Sequence, residues 1–198
     1  MSDYVDVFKG NLNRVEALVS MYPALSNSPQ RDYKATDVLR AATVFLHSAF
    51  EEYFREIIIE WIPVRGDQKS FSDMNLPEET GNNKTKFTLY DLRMYNDKTI
   101  KELIQESVKN HMSRISFNSY GEICGWGGKI GLDFSSYENG SVIDKAIQRR
   151  HRIVHEADMN ISEFGKRSLR GIKESDVVSW KQSYKDLVEV IENQIMNW

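Results

Sequence analysis

The residue types best suited to chemistry gather in one short stretch, Arg150-His151-Arg152-Ile153-Val154-His155. A guanidinium keeps its proton in water and can hold a phosphate or a developing negative charge, whereas an imidazole titrates near neutrality and can pass a proton. On a helical wheel of about 100° per residue, Ile143, Ala146, Ile147, Ile153 and Val154 all fall within about 60° of Arg150. Arg150 therefore stands in the middle of an apolar stripe. A buried guanidinium needs a carboxylate, a subunit interface or an anion-binding cleft. Glu51 and Glu52 are carboxylates that an earlier helix could bring to it. His151 and His155 are four residues apart and share one side of the helix. Such a pair can ligate a metal, serve as an acid–base histidine beside a second imidazole, or mark a solvated helix end. A zinc site would need further ligands, and His47 and His111 show no ligand-like spacing to the pair, so no metal is expected.

Other chemical signals are weaker. Cys124 is the single cysteine, which leaves neither an intrachain disulfide nor a structural zinc set. The glycine-containing segment Cys124 to Gly131 lacks the Gly-Lys-Ser/Thr ending of a phosphate loop, and Ile130 stands where the third glycine of a dinucleotide fingerprint belongs. No serine sits in a nucleophile elbow. The net charge of −3 argues against a protein that coats DNA, yet from Lys145 to Lys173 eight Lys/Arg face three Asp/Glu. That stretch carries +5 and leaves −8 for the rest of a chain whose total is −3. Such a local cluster suits an anionic partner at one place, or a solvated helix end followed by a basic loop.

The elements that must position these residues are helical. Val5, Phe8, Leu12, Val15, Val19 and Tyr22 step by three and four, which predicts a helix over about 2–22 with Pro23 and Pro29 bounding a loop. Leu39, Ala42, Leu46, Ala49, Tyr53 and Ile57 form the stripe of a long central helix, N-capped by Thr36 and ended by Pro63. A loop or insertion is expected at about 63–86, where Gly, Asp, Asn, Ser and Lys abound. A helix follows over about 97–112. Ser119 with Glu122 and Ser141 with Asp144 have the spacing of capping boxes that open two more helices, the second carrying the basic motif. The last helix, about 175–196, buries Val177, Trp180, Tyr184, Leu187, Ile191 and Ile195. No alternating run indicates a strand. The class is all-α, and 198 residues with 40% hydrophobic and 28% charged content suit one domain over residues 1–198. The most apolar stretch, 38–62, is broken by His47, Glu51, Glu52, Arg55, Glu56 and Glu60, so it reads as a core helix and not a membrane span. The start of the chain has no basic leader, and a cytoplasmic location is expected.

The motif, its place on the penultimate long helix, and the central segment Leu46-His-Ser-Ala-Phe-Glu-Glu-Tyr-Phe-Arg-Glu-Ile57 together resemble HEPN domains, in particular the RiboL-PSP-HEPN branch, over most of the chain. The resemblance implies an HEPN-like helical bundle and a metal-independent, cofactor-free endoribonuclease that cleaves single-stranded RNA through 2′-hydroxyl attack, as a toxin or antiviral effector with a possible antitoxin partner. It also allows the alternative of a non-catalytic RNA-binding or dimerisation module. By resemblance His155 is the general acid/base, Arg150 stabilises the phosphate, His151 occupies the polar second position and Glu51 is the acid of the central helix. The basic residues Arg149, Arg152, Lys166, Arg167 and Arg170 are the expected RNA contacts. Some members carry a tyrosine two residues beyond the motif histidine; Ala157 stands there, so regulation through that tyrosine is not expected. Helix geometry adds one expectation of its own. His155 lies about 140° round from Arg150, so either the helix ends or kinks near Val154, or two copies of the motif helix face each other in a symmetric homodimer.

Overall fold

The structure is a computed structural model that describes residues 3–27, 34–72, 74–77, 88–161, 165 and 167–198. Among these are eight helices: α1 (Asp3–Ser26), α2 (Lys34–Arg65), α3 (Gln68–Phe71), α4 (Leu89–Arg93), α5 (Ile100–Met112), α6 (Tyr120–Lys129), α7 (Gly140–His155) and α8 (Glu174–Met196). One antiparallel hairpin, β1 (Met159–Ile161) with β2 (Arg167–Leu169), stands between α7 and α8 and pairs Met159 with Leu169 and Ile161 with Arg167. The protein is all-α, as its periodicity predicts. The hairpin is the exception, because three residues per strand are too few to show alternation. Among the described residues no helix is long and apolar enough to cross a membrane.

The chain divides into two compact units, Met1–Tyr53 with Phe117–Ile123 and Phe134–Trp198, and Phe54–Ser116 with Cys124–Asp133. In the first, α1 and α7 each pack on α8. Its core is built from Phe8 and Val15 of α1, Leu39, Leu46 and Phe50 of α2, Ile143, Ala146 and Ile147 of α7, and Val177, Trp180, Tyr184, Leu187 and Ile191 of α8, all buried. In the second, Phe54, Ile57, Ile58 and Ile62 share the buried interior with Leu103, Val108, Met112 and Ile130. A cavity of about 900 Å³ in this second unit is bordered by Arg65, Lys69, Lys129 and the turn at Gly131. None of the motif residues lies there.

Several helix ends differ from the sequence pattern. Both Pro23 and Pro63 lie inside their helices and do not end them. A proline removes a single backbone donor, and near a helix end that loss is small against one more turn of packing. α2 stops at Gly66, whose N–H donates to the Ile62 carbonyl at 2.8 Å and where a Cβ would sit 2.6 Å from that oxygen. Thr36 is not an N-cap, since α2 starts at Lys34; its hydroxyl accepts from the Arg40 guanidinium instead. Within the expected insertion, α3 is capped by the Asp67 carboxylate, and residues 73 and 78–87 lie outside the described residues.

α6 opens as its capping signature predicts, with the Ser119 hydroxyl accepting from the Glu122 N–H at 3.1 Å, and it closes at Gly131, whose φ is +89°. The Ser141–Asp144 pair does not cap α7. Its first residue is Gly140, where a Cβ would meet the Tyr120 ring at 2.4 Å, and Asp144 accepts the Tyr120 N–H at 2.7 Å. The carboxylate that looked like a local cap therefore ties the start of α6 to α7.

Candidate active site around the Arg150–His155 segment

α7 runs unbroken to His155, the last helical residue. The stripe that sequence spacing draws is followed inward at Ile143, Ala146 and Ile147, which are buried, and fades at the half-buried Ile153 and the exposed Val154. Arg150 sits between the two zones. Its side chain is 19% exposed, and a terminal guanidinium nitrogen lies 3.5 Å from the Glu51 Oε2, so of the three solutions open to a stripe-centred arginine the described residues contain the carboxylate. Its Nε is buried without a hydrogen-bond partner among the described residues. Glu52, the other carboxylate weighed for this role, is exposed.

Glu51 is held from several sides. Its Oε1 accepts the backbone N–H of Phe117 at 3.1 Å, and Oε2 faces both Arg150 and the Nε2 of His47, one helical turn earlier on α2, at 3.7 Å. His47 is 1% exposed, and its Nδ1 lies 2.8 Å from the Tyr184 hydroxyl of α8. Burial and the nearby Arg150 charge lower the His47 pKa from 6.5 to about 3, so the ring is neutral. Burial, reinforced by the Glu51 charge, holds the Tyr184 hydroxyl well above its usual range and protonated.

The two motif histidines are exposed and close to each other, with ring centroids 4.6 Å apart. His155 borders a groove of about 530 Å³ lined also by Asn160, Ile161 and Arg167 of the hairpin and by Arg170 just after it. Arg167 is exposed and Arg152 half-buried; Arg170 donates its Nε to the Met159 carbonyl at 3.2 Å. Lys166 lies outside the described residues.

Arg149 is occupied differently. It and Arg40 of α2 both bond to the Asp158 Oδ2 at 2.7 Å, and Arg149 donates further to the carbonyls of Arg170 and Gly171. Arg40 adds bonds to Thr36, Asp37 and the Arg170 carbonyl. Asp158 is fully buried, and it and Ala157 adopt left-handed φ values of 53° and 49°. Non-glycine residues rarely adopt this conformation unless surrounding contacts enforce it. Here two guanidiniums hold the carboxylate and so fix the chain as it leaves the motif helix.

Sequence spacing thus brings together His151 and His155 on α7, as the structure does, and of the two carboxylates it offers to Arg150, Glu51 and Glu52, the structure sets Glu51 beside it. The spacing missed His47, Tyr184 and Asp158. His47 left a signal, being four residues before Glu51 on the same helix. Tyr184 is 137 residues from His47 and reads as an ordinary member of the α8 stripe. Among the described residues no three His, Cys, Asp or Glu side chains are grouped to hold a metal.

A helical protein that presents Arg150 over a buried glutamate and ends the same helix on His155 is of the HEPN class. The chain belongs to the RiboL-PSP-HEPN family, whose model matches residues 10–197, nearly the whole length. No curated protein and no solved structure matches it.

Proposed function

We propose that the protein is a metal-independent endoribonuclease of the HEPN type that cleaves single-stranded RNA by attack of a 2′-hydroxyl on the adjacent phosphate. The observation that carries this reading is the exposed pair His151 and His155, of which His155 borders a groove that Arg167 and Arg170 also line. Transesterification of RNA needs a base to take the 2′-hydroxyl proton, an acid to protonate the departing 5′-oxygen, and cations to hold the phosphorane charge. Two neighbouring imidazoles provide an acceptor and a donor, with His155 as the principal acid/base group and His151 beside it. Arg150, oriented by Glu51, supplies positive charge to the phosphate. Arg152, Arg167 and Arg170, with Lys166, track the RNA backbone. Arg149 contributes charge to this face while its guanidinium is engaged with Asp158. An enzyme acting on cellular RNA works in the cytoplasm; a toxin or defence role, with a protein antitoxin, fits such an activity.

The active form is a homodimer joined through the motif helices. Val154, the neighbour of His155 in the chain, and Ile161, which lines the same groove, are 50% and 64% exposed, apolar side chains that a second copy would cover while placing two motifs in one cleft. Light scattering should give a dimer at tens of micromolar that Ile153→Asp dissociates; a monomeric wild type refutes the assembly.

The enzyme reading is tested by incubating the protein with a broad RNA panel in EDTA and analysing product ends. The expected result is fragments ending in 2′,3′-cyclic phosphate and 5′-hydroxyl, lost in His155→Ala and in Arg150→Ala. If the wild type produces no such fragments, the reading fails. The ion pair between Arg150 and Glu51 favours a second reading, a non-catalytic RNA-binding module in which that arginine only secures the fold. RNA binding that survives Arg150→Ala, without cleavage, would select it.

A further inference from the structure

The buried polar line behind Arg150 is more elaborate than holding up a helix requires. Four side chains from three helices form it: Tyr184 of α8, His47 and Glu51 of α2, and Arg150 of α7. In a helical core, apolar side chains of similar volume would pack as well and would avoid the desolvation cost of polar groups. The line also has a direction. The Tyr184 hydroxyl keeps its proton and can donate to His47 Nδ1 across 2.8 Å. A neutral imidazole that accepts at Nδ1 carries its one hydrogen on Nε2, which faces the Glu51 Oε2. That same oxygen faces Arg150, whereas Oε1 is taken by the Phe117 N–H.

The distances of 3.7 Å to His47 and 3.5 Å to Arg150 are longer than ordinary hydrogen bonds, so the carboxylate stands between two donors without being locked to either. A short move of the carboxylate toward one donor lengthens the gap to the other. His47 thereby sets how far Glu51, and with it the guanidinium, reaches toward the outer face of α7.

We propose that His47 and Tyr184 are positioning residues that act through Glu51 to set the orientation of Arg150. The proposal rests on the ribonuclease reading for its consequence in catalysis, and on the side-chain geometry alone for the coupling itself.

The experiment has two arms on the full chain. In the first, ¹⁵N-labelled histidine is followed by NMR, with the His47 ring signals assigned from His47→Gln. The expected result is a hydrogen on Nε2, no titration between about pH 5 and pH 8, and displacement of these signals by both Arg150→Ala and Tyr184→Phe. A hydrogen on Nδ1, or signals that ignore Arg150→Ala, overturns the proposal. In the second arm, RNA cleavage by His47→Leu should show kcat reduced about tenfold with KM nearly unchanged, and His47→Gln, whose amide N–H can occupy the place of Nε2–H, should restore most of it. In an Arg150→Ala background His47→Leu should have no further effect on kcat, since two residues acting on one function are not additive. Independent, additive losses would mean that His47 only packs, and they overturn the proposal. Absence of cleavage by the wild type sinks the ribonuclease reading, and the NMR arm still decides the coupling.

Discussion

Replacing Asp158 by asparagine should destabilise the protein by about 3 kcal/mol, the lower end of the range for removing one partner of a buried ion pair. Asp158 is fully buried and accepts from Arg40 and Arg149 through one oxygen at 2.7 Å each. The substitution keeps the shape of the side chain and an oxygen in place, and asparagine accepts left-handed backbone readily, so the φ of 53° adds no new strain. What is lost is the negative charge between the buried Arg40 and the half-buried Arg149. Both arginines retain carbonyl acceptors at Arg170, which holds the cost near the bottom of the range. For a chain of this length about 3 kcal/mol corresponds to a fall in Tm of roughly 6–12 °C. Urea unfolding followed by circular dichroism at pH 7 would read it as a lower midpoint with unchanged slope. A loss under about 0.5 kcal/mol, the scale of an ordinary surface substitution, would refute the argument that this carboxylate fixes the end of α7.

Three further outcomes follow from the same structure. Ala157→Gly should leave stability unchanged or raise it by up to about 1 kcal/mol, because glycine adopts the φ of 49° without strain; thermal melts check it. Gly140→Ala should cost about 2 kcal/mol through overpacking, since the new methyl would lie 2.4 Å from a Tyr120 ring carbon, and the same melts read a lower Tm. The His47 pKa of about 3 lies below its ordinary 6.5, so the unfolded chain takes up the proton more readily and stability falls as pH drops from about 6.5 toward 3. His47 should account for about 2 kcal/mol of the loss between pH 7 and pH 5, and His47→Gln should flatten that part of a urea midpoint against pH.

The helical stripes of α2 and α8 were legible because each repeats over many turns and a core face leaves a regular trace: Leu39, Ala42 and Leu46, or Val177, Trp180 and Tyr184, are all buried. Arg150 was legible as an anomaly for the same reason, since a charge in the middle of such a stripe stands out, and Glu51 was already among its possible partners. Asp158 left no trace. It is one acid in a basic stretch, and its burial depends on Arg40, more than a hundred residues away. The Asp144 carboxylate shows the opposite failure, a correct local pattern spent on a distant backbone group. Pro23 and Pro63 look like stops because only their local effect is visible in sequence, whereas tertiary packing decides whether the helix continues.

The Oε1 of Glu51 accepts from a backbone amide, that of Phe117, and not from a side chain. Mutational tolerance at the two ends of that bond is therefore unequal. Every residue type that could replace Phe117 still carries the N–H, except proline, which lacks it. A scan by alanine would therefore record position 117 only for the aromatic ring it loses from the core, and would leave unseen its role in seating the carboxylate beneath Arg150. Proline at 117, or replacement of that one amide by an ester through chemical synthesis, is the change that would separate the two contributions.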